Sequence, residues 1–391
     1  MVPRIIRSVR LGLLLAASAA SVFAASGPAT SGRPNIVVIL ADDLGWNDIS
    51  LHGSATPTPN IDRLATSGVE FKNLVVNSVC SPTRAAFYTG REAIRSGYGG
   101  EVGDRINPEF RTIAQTLQAA GYRTGLFGKW HNGLPPDSKR AGGPWCPTPM
   151  KEGFETFAGF YGGGTDYFTQ SGGNARNWYA NDERSTEAGF STDLITDNAV
   201  RFIEENTAKP FFCMVAEAAP HEPFEATDAL LKRVPAGIRG DIQLTEGIVR
   251  ERNLDKNKKT DAKTWEYGGF TEAERKVVYS AMVTGLDDSV GRILEALKKT
   301  GQDRNTVVLF FSDNGAMHFI REGNLPLRGW KHDMYDGAVH TPGFLCDPRG
   351  NLAAGSKYEP MVRAVDLYPT LASLAGVPIA DAIHSVINNC A

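Results

Sequence analysis

Apolar runs and helical patterns alternate along the chain. "NIVVILADD" is a continuous β-branched run, which predicts a buried strand over Asn35 to Leu40 that ends in two aspartates. "TPNIDRLATSG" has helical spacing and stops at Gly68. "RTIAQTLQAAG" predicts a helix stopped by Gly121, followed by the strand "YRTGLFG". The helix "STDLITDNAVRFIEEN" leads into the strand "PFFCMVAEAAPH". "TEAERKVVYSAMVTGLDDSVGRILEALKKTG" predicts a long helix. It opens on a capping box of Thr271 and Glu274 and closes at Gly301. The strand "NTVVLFFSDNG" follows, and "DLYPTLASLAG" is a last helix.

This alternation predicts an α/β fold, a large mixed and mostly parallel sheet sandwiched by helices. Ligands in such sheets sit beyond the carboxyl ends of the strands. The polar residues that follow the strands are therefore the candidates: Asp42 and Asp43, Lys129 and His131, His221, and Asp313 and Asn314. Two stretches read as additions to this frame. Gly142 to Asn181, rich in glycine and aromatics, reads as an ordered surface insertion over the site. Lys232 to Lys263 is polar and reads as a solvated excursion.

The 391 residues are 42% hydrophobic and 22% charged, with a net charge of -3. That suits one large globular domain or two smaller ones and gives no electrostatic reason for a nucleic-acid or membrane-surface partner. The first residues differ. "MVPRIIRSVRLGLLLAASAASVFAAS" has a basic start, an apolar run and small residues near Ala24, the pattern of a cleaved secretory signal. Residues 1–24 are thus expected to export the chain to the periplasm or the exterior. The apolar run is too short and alanine-rich for a stable membrane span. Of five cysteines, Cys213 and Cys346 lie in apolar runs and read as buried, while Cys146 and Cys390 either pair or stay free.

Asp42, Asp43, Asp313 and Asn314 all offer oxygen, which suits a hard cation such as Ca²⁺ or Mg²⁺ rather than zinc. One "DD" or one "DNG" alone reads equally as a cap or turn. Two such ends, each closing an apolar strand, point to a metal. Lys129 and His131 alternate, so they face one way if the chain stays extended, as a cation for an anionic substrate beside a proton carrier. The bland alternative is a surface lysine and a packed histidine. His221 sits in a proline-rich loop, and Arg328, Lys331 and His332 lie in "LRGWKHDMYDG", which reads equally as a solvated basic loop. In "CSPTRAAFYTGR", Pro82 places Cys80 at a helix N-terminus with Arg84 one turn on. Dipole and arginine together predict an acidified thiolate there. Soft sulfur is a poor ligand for a hard cation, so oxygen would fit this position better.

"CSPTR" matches the C-x-P-x-R signature of the type I, formylglycine-dependent sulfatases, of the arylsulfatase or N-acetylgalactosamine-sulfatase kind, in the alkaline phosphatase superfamily. "PNIVVILADDLGWND", "GKWH", "FFSDNG" and "PLRGWKHDMYDGAVHTP" resemble further motifs of that family, in family order from residue 34 to about 376. The resemblance implies that a maturation enzyme oxidises Cys80 to Cα-formylglycine. Its hydrate, a gem-diol, attacks sulfur with one hydroxyl, and the other helps expel sulfate. It implies one Ca²⁺ bound by Asp42, Asp43, Asp313, Asn314 and the modified Cys80. By the same resemblance, Arg84 stabilises the formylglycine and Lys129 contacts it and the sulfate. His131 takes the proton of the second hydroxyl. His221 and Lys331 hold the sulfate and help protonate the leaving oxygen.

A sulfatase catalytic domain is thus expected over residues 33–378, with 379–391 a short remnant where the family's smaller C-terminal subdomain is truncated. The expected activity is hydrolysis of a sulfuric ester on a sulfated carbohydrate or an aryl sulfate, with sulfated amino sugars the nearest resemblance. The alternatives are a phosphoester or phosphonate monoester hydrolase of the same superfamily, or a non-catalytic carbohydrate-binding relative if Cys80 stays unmodified.

Overall fold

The first apolar run forms β1 (Asn35–Ala41), with all seven residues buried. The computed structural model describes residues 32–96, 105–138, 147–172, 175–254 and 269–379. β1 lies inside a ten-stranded sheet. Its other strands are β2 (Val69–Phe71), β3 (Arg123–Lys129), β4 (Thr156–Phe160), β5 (Tyr179–Ala180), β6 (Glu183–Arg184), β7 (Phe211–Ala216), β8 (Thr306–Ser312), β9 (Gly343–Cys346) and β10 (Ser356–Tyr358). They run in the order β10-β2-β9-β8-β1-β7-β3-β4-β5-β6. The five middle strands, β8 to β4, are parallel, and β9 and β5 flank them antiparallel. The large, mostly parallel sheet expected from the sequence is the one that forms.

Among the described residues ten α-helices surround it: α1 (Pro59–Ser67), α2 (Cys80–Thr89), α3 (Ile113–Ala119), α4 (Ser191–Glu205), α5 (Asp228–Arg233), α6 (Ala236–Arg239), α7 (Glu246–Leu254), α8 (Glu272–Lys299), α9 (Asp336–Val339) and α10 (Ala364–Leu374). Side chains of β1 alternate between two cores. Val37, Ile39 and Ala41 pack with Leu64 of α1, Ile195 of α4 and Leu286 of α8. Ile36, Val38 and Leu40 pack with Phe87 of α2, Leu117 of α3 and Leu371 of α10. Each large apolar side chain fully buried this way contributes about 1.5–3 kcal/mol, and both faces of the sheet are covered.

The capping box of α8 forms as expected. Glu274 N–H donates to Thr271 Oγ1 at 3.3 Å, and Thr271 N–H donates to Glu274 Oε2 at 3.0 Å. The N-terminus of α1 is capped from elsewhere. Asp287 of α8 accepts from the Asn60 and Ile61 N–H groups at 3.0 and 2.8 Å, which fastens α1 to α8.

Two sequence readings need correction. The glycine- and aromatic-rich stretch is no surface insertion. It supplies β4 and β5, and its Phe157, Phe160, Tyr167 and Trp178 are buried. Glycine hid the strand because backbones approach closely there: a Cβ on Gly159 would lie 1.9 Å from the Gly128 carbonyl oxygen of β3. The polar stretch after Lys232 is not wholly solvated either. Val234 and Val249 are buried in the core that α8 lines. The short strands β2, β9 and β10 lacked a length or period that the sequence could reveal. Cys213 and Cys346 are buried, in β7 and β9, as expected. The signal segment 1–24, Cys146, Cys390 and the remnant beyond 379 lie outside the described residues. Among those residues no helix is long and apolar enough to cross a membrane.

Glu217 follows β7 and is fully buried, with Ser289 Oγ donating to its Oε1 at 2.6 Å. Burial pushes its carboxyl from 4.5 up to about 8. The folded state therefore holds a proton that the unfolded chain has lost. That stabilisation is complete below pH 4.5 and disappears as pH rises through about 8. Glu217→Gln should flatten the fall in melting temperature between pH 5 and about 8. Parallel melting curves for the two proteins would contradict this.

Candidate active site

Strand register assembles the site. Leu40 pairs with Ala216, Ala41 with Ser312, and Ala216 with Gly128. The residues just past these pairs, Asp42, Asp313 and Lys129, therefore emerge side by side at the carboxyl edge. Asp313 N–H donates to the Ala41 carbonyl at 3.1 Å, tying the two acidic turns together. Helix α2 begins at Cys80, packs beneath this edge and ends at Gly90 in the left-handed region, φ 63°.

Opposite charges interlock there. Arg84 Nε donates to Asp313 Oδ2 at 2.9 Å, and its Nη1 donates to the Lys129 carbonyl at 3.0 Å. Lys129 Nζ donates to Asp42 Oδ2 at 2.5 Å. Lys331 Nζ reaches both Asp43 oxygens, at 2.7 and 2.9 Å. All six side chains are buried. Burial pushes the Asp42 carboxyl up, but Lys129, His221, Arg84 and Lys331 outweigh it and hold Asp42 far below the usual carboxylate range. Burial and the Asp42 charge push Asp313 up, so Asp42 is the first of the pair to ionise. Burial pulls the Lys331 ammonium down, and Asp43 more than offsets that, so Lys331 stays charged.

The two histidines complete the ring. His131 Nδ1 lies 3.2 Å from Cys80 Sγ. Burial, then Lys129 and Arg84, hold its imidazole well below 6.5, so it is neutral. His221 Nδ1–H donates to the Glu222 carbonyl at 2.6 Å, which leaves Nε2 free toward the site, 3.8 Å from Asp43. The backbone bends to allow this. Asp43 and His131 have φ of 66° and 52°, rare for side-chain-bearing residues, and such departures cluster at functional sites. The chain therefore does not stay extended from Lys129 to His131, yet both side chains reach the same centre.

Cys80 departs from expectation in its charge. Burial raises its thiol above 9.0, and Asp42 and Asp313 add to that, against the lowering by Lys129 and Lys331. The helix terminus does not win, because the thiol is buried among carboxylates. A neutral thiol is a weak nucleophile and a weak ligand.

Two buried oxygens in this cluster, Asp42 Oδ1 and Asn314 Oδ1, have no hydrogen-bond partner among the described residues. Asn314 spends its amide N–H groups on Asp43 Oδ1 and the Gly315 carbonyl, at 2.7 and 2.9 Å. Its oxygen is thus held as an acceptor with nothing to accept from. Asp42, Cys80 and Asp313 offer atoms within 4.8 Å of one another, as do Asp42, Asp43 and His221. Buried, unsatisfied oxygens converging this way fit a hard cation. The structure brings together every site residue expected from the sequence.

Supporting groups were harder to foresee. Tyr279 Oη donates to the Asp43 carbonyl at 3.2 Å and contacts Asp48 at 2.5 Å, so this pair holds the strained Asp43 turn. Gly163 leaves room for His131: a Cβ there would lie 2.9 Å from the imidazole. Neither helix-buried tyrosine nor loop glycine carries a sequence signal of such a role.

The family model of the sulfatases matches residues 34–377. The chain belongs to the sulfatase family. Arylsulfatase J of Mus musculus is 29% identical over 90% of this chain and 54% of its own length. The arylsulfatase of Klebsiella aerogenes is 30% identical over 77% of this chain and 70% of its own. The N-acetylgalactosamine-6-sulfatase of Mus musculus is 30% identical over 93% and 66%. The chain thus spans between 54% and 70% of the length of these sulfatases. The solved structure of Ps i-CgsB with k-i-k-neocarrahexaose superposes with a TM-score of 0.71 at 31% identity, covering 90% of this chain and 74% of that one. The fold is the sulfatase α/β fold.

Burial fixes how His131 titrates. In the metal-free protein its ring NMR signals should keep the neutral-imidazole pattern down to well below pH 6.5. A protonation midpoint at or above that value would contradict the geometry.

Proposed function

We propose that this sulfatase-family chain hydrolyses a sulfuric ester on a sulfated carbohydrate or an aryl sulfate, using Ca²⁺ and a formylglycine made from Cys80. The observation that carries the reading is the pair of unpartnered buried oxygens, Asp42 Oδ1 and Asn314 Oδ1, beside a buried thiol that is neither acidic nor a good ligand. Asp42, Asp43, Asp313 and Asn314 would hold the cation. Bound there, Ca²⁺ supplies charge neutralisation for a sulfate oxygen and acidifies the nucleophile. Formylglycine supplies, as its hydrate, the oxygen that Cys80 lacks.

The chain's own residues account for the rest. Arg84, Lys129 and Lys331 balance the three aspartates one for one. A divalent cation then leaves net positive charge for an anionic ester. Arg84 fixes Asp313 and the Lys129 carbonyl, and so sets where the Lys129 ammonium stands. His131, neutral and 3.2 Å from the Cys80 side chain, accepts a proton from the nucleophile position. His221 Nε2, with Nδ1 tied back to Glu222, and Lys331 serve the sulfate and the leaving oxygen. A two-zinc phosphatase reading is less well supported, since this oxygen-rich set offers few nitrogen ligands. The amino-sugar preference rests on the relatives named N-acetylgalactosamine-6-sulfatase. The basic, apolar N-terminal segment supports export.

Mass spectrometry of the Cys80 peptide from natively exported protein should show an aldehyde in place of the thiol; an intact thiol would favour a non-catalytic, sugar-binding role. With matured protein, Lys129→Ala and Asp313→Asn should each lower sulfate release from an aryl sulfate by about 10²–10³-fold or more. Near-native rates in either variant would refute the assignment. Calcium added to metal-free protein should raise its melting temperature, and Asn314→Ala should reduce that rise. No shift on adding calcium would remove the metal from the proposal.

A further inference from the structure

A cavity of about 320 Å³ opens beside His131, lined by Tyr161, Gly163, Arg176, Tyr179 and Arg184 among others. His131 alone of the residues at the centre lines it, and so joins it to the nucleophile position. His131 presents Nδ1 to Cys80, and its Cε1–Nε2 edge faces Gly163. A substituent attached to a sulfate ester at the centre would enter here, and the volume suits a small ligand.

The two arginines in this cavity differ. Arg184 is neutralised: its Nε donates to Asp137 Oδ2 at 2.5 Å, and its Nη1 donates to the Arg176 carbonyl. Tyr179 Oη also donates to Asp137, at 2.9 Å. Arg176 meets no carboxylate among the described residues. Its side-chain hydrogen bond there is from Nη2 to Gln170 Oε1, at 3.0 Å, and its Nε is buried with no partner.

Gln170 is itself built for this. It is 1% exposed, and its amide N–H groups donate to the Tyr167 and Gly189 carbonyls at 3.1 and 2.5 Å. Its oxygen is thereby fixed as an acceptor facing Arg176. A neutral amide aims the guanidinium without cancelling its charge. Its Nε keeps an unmet donor among the described residues, and a planar guanidinium fork has the shape that pairs with an oxyanion bidentately.

We propose that Arg176 is a receptor for a second oxyanion, so that the preferred substrate is a saccharide carrying another sulfate or a carboxylate besides the ester that is cleaved. This rests on the reading of the Cys80 centre as a sulfate-ester hydrolase. The two oxyanion sources share one chemistry and are separated by the test.

The test uses matured, calcium-loaded full-length protein and three probes: 4-nitrophenyl sulfate, N-acetylgalactosamine 4,6-disulfate, and an unsaturated chondroitin 6-sulfate disaccharide bearing a uronate carboxylate. The readout is selectivity, the ratio of kcat/KM on each doubly anionic probe to that on the aryl sulfate. Arg176→Ala should lower this ratio by about tenfold or more, chiefly through KM, for the disulfate, the disaccharide or both, as expected for loss of a charge-assisted hydrogen bond. Arg176→Lys, which keeps the charge but loses the fork, should fall between. Which probe responds tells sulfate from carboxylate. Unchanged ratios for both probes, with melting temperatures preserved, overturn the proposal. If wild-type protein releases sulfate from no probe, the hydrolase reading fails instead. Calorimetric binding of the same probes then decides the cavity: weaker binding of a doubly anionic probe in Arg176→Ala upholds it, and equal binding overturns it.

Discussion

The interaction on which the structure depends is a buried lattice of opposite charges at one edge of the sheet. Asp42, Asp43 and Asp313 meet Arg84, Lys129 and Lys331 with almost no exposure to water. Removing one partner of such a pair typically costs about 3–5 kcal/mol, because the other is left buried and uncompensated. The lattice ties together β1, β3, β8, helix α2 and the segment before α9. It is neutral as it stands, and one of its oxygens, Asp42 Oδ1, remains unsatisfied among the described residues, as does Asn314 Oδ1 beside it. Charge balance and unsatisfied acceptors together leave room for a cation and then for an anion.

The same lattice explains the strain around it. Asp43 and His131 adopt left-handed backbone conformations. Such departures cost about 1–3 kcal/mol each and persist only where surrounding contacts hold them. Asp43 is held by Lys331, by Asn314 and by Tyr279 on its carbonyl. His131 is held against Cys80, with a glycine at 163 giving it space. Parallel strands ending at one edge provide the rigid support that makes such bends affordable.

Cys80 shows two electrostatic effects in competition. A helix N-terminus and nearby cations favour a thiolate, while burial among carboxylates favours the thiol. Burial is the largest effect here, and Asp42 and Asp313 act with it against Lys129 and Lys331. The side chain is thus ill suited to act as sulfur and well placed to be replaced by oxygen. Its setting also separates two tasks. On the proposed reading, the charged lattice would take the ester group, and the cavity beyond His131, where Arg176 meets no described carboxylate, would take the rest of the substrate.

The sequence by itself determined the alternation of strands and helices, the parallel centre of the sheet and the residues at the strand ends. These follow from local patterns: β-branched runs, capping residues and glycine stops, each expressed within a few residues. Asp42, Asp43, Lys129, Asp313 and Asn314 were legible because a parallel sheet puts all its strand ends at one edge. Tertiary structure alone decided the rest. The strands within the glycine-rich stretch, the capping of α1 by Asp287 and the hold of Tyr279 on Asp43 join residues up to 236 positions apart. The protonation of Cys80 and the lack of a described carboxylate beside Arg176 were equally hidden. Both depend on which groups are buried together and in what number, and burial is a property of the packed molecule that no short stretch of chain encodes.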